Sequence, residues 1–140
     1  MPVRKVPLLL KSSDSPGQPY LNVVVTNPHA ENRRLKVRAL IDTGADFCAL
    51  PVKYAAILGH TLENGAQQGI NTGGGKAVTF YHQAKIIIPD HNYNGSPFVT
   101  KELKIGFLHG LHTPVMGTRG FLEYFKLVVD YQEGHFSLLL

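Results

Sequence analysis

The stretch Ala39-Leu40-Ile41-Asp42-Thr43-Gly44-Ala45-Asp46 runs three apolar residues into a carboxylate, continues as Thr-Gly-Ala, and adds a second carboxylate. Strands ordinarily carry their acids on a solvated face, in alternation with apolar side chains. Here the acid ends an apolar run instead, which sets Asp42 in a constrained, partly buried turn. In such a turn the Gly44 amide can donate to the carboxylate, and Thr43 can lock the chain by hydrogen bonding. Asp-Thr-Gly occurs once in the 140 residues. Taken alone, it also reads as an ordinary strand exit.

Upstream, Tyr20–Thr26 is rich in β-branched residues and predicts a strand. A loop over Asn27–Asn32 and a returning strand over Leu35–Ile41 complete a hairpin that delivers Asp42. Residues 3–11 predict a short first strand, and Ser12–Pro19 a turn cluster. Leu50–Gly59 carries helix punctuation, with Pro51 in the first turn and Gly59 at the left-handed cap. Gly65–Lys76 reads as a glycine-rich loop and Ala77–Ile88 as a strand. Pro89–Pro97 is another loop, Phe98–Gly106 alternates, and Gly120–Lys126 suggests a short helix. Leu127–Leu138 reads as a hairpin turning at Gln132-Glu133-Gly134. No internal repeat or second domain is visible, so residues 1–140 are read as a single domain.

Composition agrees. An apolar fraction of 44% against 17% charged belongs to a globular chain, and 14 Gly with 9 Pro favour a turn-rich β fold. The net charge of +4 is scattered. Its densest group, Arg33, Arg34, Lys36 and Arg38, alternates with Leu35, Val37 and Ala39, so a solvated strand face accounts for it without a nucleic-acid partner. Cys48 is the lone cysteine, which excludes an intrachain disulfide and fits a reducing compartment. No stretch approaches the roughly 20 apolar residues of a membrane span. The run Leu8–Leu10, closed by Lys11, is too short for a signal peptide. A soluble, cytoplasmic chain is expected.

Three other motifs compete for a function. Gly73-Gly74-Gly75-Lys76 suggests a phosphate loop, but Ile70 stands where its first glycine belongs, Ala77 where its Ser or Thr belongs, and a strand follows instead of a helix. What remains is either a flexible hairpin tip or a mobile flap whose amides close over a ligand. His109 and His112 are three apart, yet Gly110 and Pro114 argue against the helix that would join them. Exposed loop histidines explain them without a metal. A Cys48–His nucleophilic pair has nothing in the sequence to assemble it.

Ala39–Pro51 resembles the active-site segment of the retropepsin-like aspartic proteases. The Tyr20–Ile41 hairpin, the glycine-rich loop Gly69–Gly75 and Val115-Met116-Gly117-Thr118-Arg119-Gly120-Phe121-Leu122 follow the family's order, so the resemblance spans Tyr20 to Tyr131. It implies an all-β acid-protease barrel with one or two short helices, working as a C2 homodimer. By this resemblance Asp42 matches the catalytic aspartate. Thr43 and Gly44 match residues bracing the paired loops, and Ala45 and Asp46 match the cleft lining. Ile70, Asn71, Thr72, Gly73, Gly74 and Gly75 match the flap, and Val115 and Met116 the pocket wall. Three features depart from the pattern. Arg119 stands one place later than the family's Gly-Arg-Asp or Gly-Arg-Asn arginine, and is expected still to reach Asp46 and brace its loop. Phe47 and Cys48 replace small polar residues, and the Pro89–Pro97 loop is longer than in minimal members.

Such a site hydrolyses peptide bonds with two carboxylates, one ionised to take a proton from water and one protonated to polarise the carbonyl. One Asp-Thr-Gly per chain then requires a homodimer with Asp42 of each copy on the axis. The apolar termini Val6–Leu10 and Phe136–Leu140 are candidates for an interchain sheet. The implied protein is an aspartic endopeptidase acting on peptide or protein substrates, with no cofactor or metal. The alternative is a catalytically silent dimerisation or peptide-binding module on the same fold.

Overall fold

A computed structural model describes residues 3–10, 13–14, 16–72, 75–89 and 97–140; the side chains of 70–72 are not described. Gly73, Gly74 and most of the Pro89–Pro97 loop, together with part of the Ser12–Pro19 turn, lie outside these residues. Eleven strands run through the described residues. In chain order they are β1 (Val3–Pro7), β2 (Tyr20–Asn27), β3 (Ala30–Ile41), β4 (Cys48–Pro51), then helix α1 (Tyr54–Ile57), β5 (Ala66–Thr72), β6 (Gly75–Ile88), β7 (Phe98–Val99), β8 (Leu103–Leu108), β9 (Val115–Met116), β10 (Lys126–Asp130) and β11 (His135–Leu139). Among these residues no helix is long and apolar enough to cross a membrane.

The hairpin leading to Asp42 is longer than its turn signals suggest, because only Pro28 and His29 separate β2 from β3. Asn27 explains the tight join. Its Oδ1 accepts the His29 amide at 2.9 Å while its Nδ2 donates to the Leu58 carbonyl at 2.8 Å, so a buried amide closes the turn and ties it to the end of α1. Along β3 the charged face is exposed at Arg34, Lys36 and Arg38, while Val37, Ala39 and Ile41 are buried. That alternation fixes the register, since a slip of one residue would bury the arginines.

The larger sheet closes on itself. Its strands run β2-β3-β9-β4-β8-β6, and β6 returns to pair with β2 through Val24↔Ile87 and Val25↔Ile86. A barrel of this kind leaves no edge on its closed ring. Its interior holds Leu21, Leu50, Ile86, Ile105, Phe107, Met116 and Phe121, all under 2% exposed. Each such side chain contributes about 1.5–3 kcal/mol on burial.

Four expectations change. Leu50–Gly59 is not one helix: Cys48–Pro51 is a strand between β8 and β9, and only Tyr54–Ile57 is helical. Burial of Cys48 and Leu50 between two partners outweighs the Pro51 start signal, whereas Gly59, at φ +78°, does end the helix. Second, Ala66–Thr72 is a strand and not a loop, paired with β6 from Ala66↔Tyr81 to Thr72↔Gly75. Backbone pairing with a long neighbour holds it, despite Gln67, Gln68 and Gly69. Third, Gly120–Lys126 holds a single 3₁₀ turn, Leu122–Tyr124, with Phe121 and Leu122 buried beside it. Fourth, the terminal strands pair within the chain, in a sheet of order β1-β11-β10. Val6 faces Phe136 and Pro7 faces His135, and a bulge at Lys5 (φ +52°) directs its amide to Ser137 Oγ.

Candidate active site

Asp42 follows directly on β3, where Leu40 and Ile41 lie parallel to Val115 and Met116 of β9. The Asp42 amide donates to the Met116 carbonyl at 3.0 Å, and the Ala45 amide folds back to the Asp42 carbonyl at 3.2 Å. Within this turn the Gly44 amide donates to Asp42 Oδ1 at 2.9 Å. The carboxylate is half-buried, while Thr43 and Gly44 are exposed. Among the described residues the turn is held by these backbone donors, and the Thr43 hydroxyl makes no bond within its own chain.

A second loop crosses the first. After β9 the chain passes at Gly117, where an added Cβ would stand 2.5 Å from the carbonyl oxygens of both Ala45 and Phe47. Only glycine permits that approach. The Thr118 amide then donates to Ala45 O and the Arg119 amide to Asp46 O, each at 2.9 Å, and Phe47 bridges Arg119 in parallel. Arg119 therefore does reach the Asp46 loop, but through its backbone. Its side chain is exposed and forms no ion pair with Asp46 among the described residues.

Asp42 opens onto a cleft of about 420 Å³. It is lined by Gly44, Ala45 and Asp46 beside Asp42, by Leu108, Leu111 and Val115, and by Gln68, Thr79 and Tyr81 of the β5–β6 hairpin, with Thr79 paired across the sheet to Leu108. Val115 lines this cleft. Met116, expected beside it in the pocket wall, does not: it is fully buried in the core, because neighbouring residues of a strand face opposite sides. Of the residues expected to form a flap, Ile70, Asn71, Thr72 and Gly75 belong to the paired arms of this hairpin, with Ile70↔Ala77 and Asn71↔Lys76 in register.

Phe47 also lines the cleft, its ring 5.5 Å from that of Tyr81 in an edge contact. The Lys104 ammonium lies over both, 5.4 Å from the Phe47 centroid and 4.7 Å from the Tyr81 centroid. Burial, and then the negative charge of Asp46, push the Tyr81 phenol above its ordinary value of 10.0. Gly106 faces Tyr81 across the sheet, and a Cβ there would stand 2.6 Å from Thr79 Cγ2. The Thr79 hydroxyl is buried with no hydrogen-bond partner among the described residues. Sequence reasoning missed Thr79, Tyr81 and Gly106, since only the β6–β8 register brings them to the cleft.

The rival chemistries fare differently. Cys48 is 0% exposed, and burial pushes its thiol up to about 12, against a smaller opposing effect of a bond to the Gly117 backbone. No thiolate is available there at neutral pH. His109 and His112 are exposed on the loop after β8, where Gly110 takes φ +82°.

No protein-family model matches the sequence. Over 99% of its length, however, the chain superposes on 99% of a crystal structure of a retropepsin-like aspartic protease from Rickettsia conorii, with a TM-score of 0.62 and 22% sequence identity. EIAV protease complexed with the inhibitor HBY-793 is also similar, over 84% of this chain and 99% of that one, with a TM-score of 0.48 and 20% identity. The architecture is that of the retropepsin-like aspartic proteases.

Proposed function

We propose that the chain, acting as one domain over residues 1–140, is an aspartic endopeptidase assembled as a C2 homodimer. The observation that carries this reading is the Asp42 carboxylate, half-buried at a cleft and held by the Gly44 amide on an exposed turn. One such carboxylate cannot act as acid and base together. Two copies meeting on a two-fold axis supply both, and repulsion between like charges in contact makes the pair share a proton. The ionised Asp42 takes a proton from water as the water oxygen bonds to the scissile carbonyl carbon. The protonated Asp42 of the other copy gives its proton to the carbonyl oxygen. Collapse of the tetrahedral intermediate breaks the carbon–nitrogen bond, and the amine leaves with a proton from the dyad.

In this reading Thr43, exposed and without a side-chain bond among the described residues, braces the paired turns with Gly44. Ala45 and Asp46 line the substrate path and Val115 forms its wall. Arg119 braces the Asp46 loop through its amide. The β5–β6 hairpin, with Ile70–Gly75 at its end, is the flap that closes over the peptide. No metal or cofactor enters the reaction.

The test is cleavage of a peptide library between about pH 4 and 8 by the wild type and by Asp42→Asn, with the mass in solution followed by sedimentation. Cleavage by the wild type alone, from a dimer, is expected. Cleavage by both or by neither defeats the enzyme reading, and a cleft that binds peptides without cutting them is then the silent module.

A further inference from the structure

We propose that stacked His60 and His82 form a pH-sensitive catch that holds the base of the β5–β6 hairpin at neutral pH and releases it in acid. The rings lie 4.5 Å apart at an interplanar angle of 27°, and Phe107 meets both edge-on, at 6.0 Å and 5.6 Å. Their positions in the chain give the stack its leverage. His82 belongs to β6. The 3₁₀ turn Leu62–Asn64 launches β5, and His82 Nε2 lies 3.0 Å from the Leu62 carbonyl, so in the neutral ring this nitrogen carries the donated hydrogen. Gly65 packs so closely on this ring that an added Cβ would stand 2.6 Å from Nε2. His82 thus clamps the start of one hairpin arm onto the other, and His60 covers the clamp.

The neutral state is the one this packing accepts. His60 hydrogen-bonds the Gln83 backbone, while its Nε2 is buried with no partner among the described residues. A proton added there would be a buried charged donor without an acceptor, stacked against the second imidazole. Burial first, and then the charge on His82, lower the His60 pKa below 6.5, with the Gln83 bond acting the other way. The surrounding charges do not reverse this. His29, on the turn after β2, adds repulsion, and is itself 79% exposed and 3.5 Å from Glu102. Arg33 of β3 passes beside Gly59, Glu63 on the 3₁₀ turn is exposed, and Lys104 of β8 sits over Tyr81. As pH falls below 6.5, protonation is met by separating the rings, which frees the launch of β5 from β6.

The catch acts on the hairpin, independently of peptide cleavage; if the cleft is a protease site, the catch regulates it. Amide hydrogen exchange of the full chain tests it, at pH 7.5 and 5.0, corrected for intrinsic chemical rates. Protection over residues 62–82 of the wild type is expected to fall by at least about tenfold, while His60→Phe, which keeps the stack without a titrating nitrogen, changes by less than about twofold. Equal protection at both pH values in the wild type, or an equal loss in His60→Phe, overturns the proposal. NMR titration of the wild type covers a variant that fails to fold. The hairpin amides must shift with the His60 midpoint, and a midpoint at or above 6.5 defeats the proposal. Neither readout uses proteolysis.

Discussion

Gly117 packs against Ala45 so tightly that a methyl group on its α-carbon would come within 2.5 Å of the Ala45 carbonyl oxygen. This contact seats the second loop on the first and leaves the Thr118 and Arg119 amides facing Ala45 O and Asp46 O. Gly117→Ala must push the loops apart, at an expected cost of about 1–3 kcal/mol. Thermal unfolding should fall by roughly 3–10 °C, with NMR shifts concentrated at residues 42–48. An unchanged melting temperature would mean that the loops do not cross as described.

The same crossing makes Arg119→Ala nearly silent. The bond to Asp46 uses the Arg119 amide, and the side chain is exposed without an ion pair among the described residues. Loss of the guanidinium should change stability by less than about 0.5 kcal/mol. A clear drop in the denaturation midpoint would restore a side-chain brace.

These two residues mark how far the sequence could be read. The hairpin ending in Asp42 was legible because its turn chemistry and the alternation of Val37, Ala39 and Ile41 act locally. The Asp42–Gly44 hydrogen bond was legible for the same reason. Arg119 stood out as displaced, but nothing in the residue type reveals that its amide makes the contact. Strand β4 was hidden because its four residues gain their structure from β8, far along the chain. Tyr81 and Thr79 reach the cleft only through register with Gly106 and Leu108, a long-range pairing that no local pattern encodes.

Cys48 should be inert while the chain is folded. It is fully buried and its thiol is pushed up to about 12, so neither access nor thiolate is available. Alkylation by iodoacetamide at pH 8 is expected to run at least about a hundredfold slower than in the guanidinium-unfolded chain. Rapid labelling of the native protein would contradict the buried site and reopen a thiol mechanism.

Tyr81 provides an alkaline probe of the cleft. Burial, and second the Asp46 charge, raise its pKa above 10.0, so the unfolded chain releases this proton at lower pH than the folded one. Stability from the neutral phenol is therefore complete below pH 10 and is lost as pH rises through the raised value. Difference absorbance of phenolate between the wild type and Tyr81→Phe should show this midpoint above 10, moved down by Asp46→Asn. No movement in Asp46→Asn would separate the two groups.

The proposed two-chain site makes its sharpest prediction in mixtures. Asn at position 42 retains an oxygen for the Gly44 amide, so Asp42→Asn should fold and associate like the wild type while losing cleavage by at least about a thousandfold. In the proposed mechanism a dimer holding one altered chain has only one of the two carboxylates required. If copies exchange freely, a roughly ninefold excess of Asp42→Asn leaves about a tenth of the wild-type chains paired with another wild type, so activity per wild-type chain should fall about tenfold. A chain that worked alone would show no such fall. Titrating the inactive variant into a fixed amount of wild type, with the peptide cleavage rate as readout, therefore measures directly whether each active site is built from two copies of Asp42.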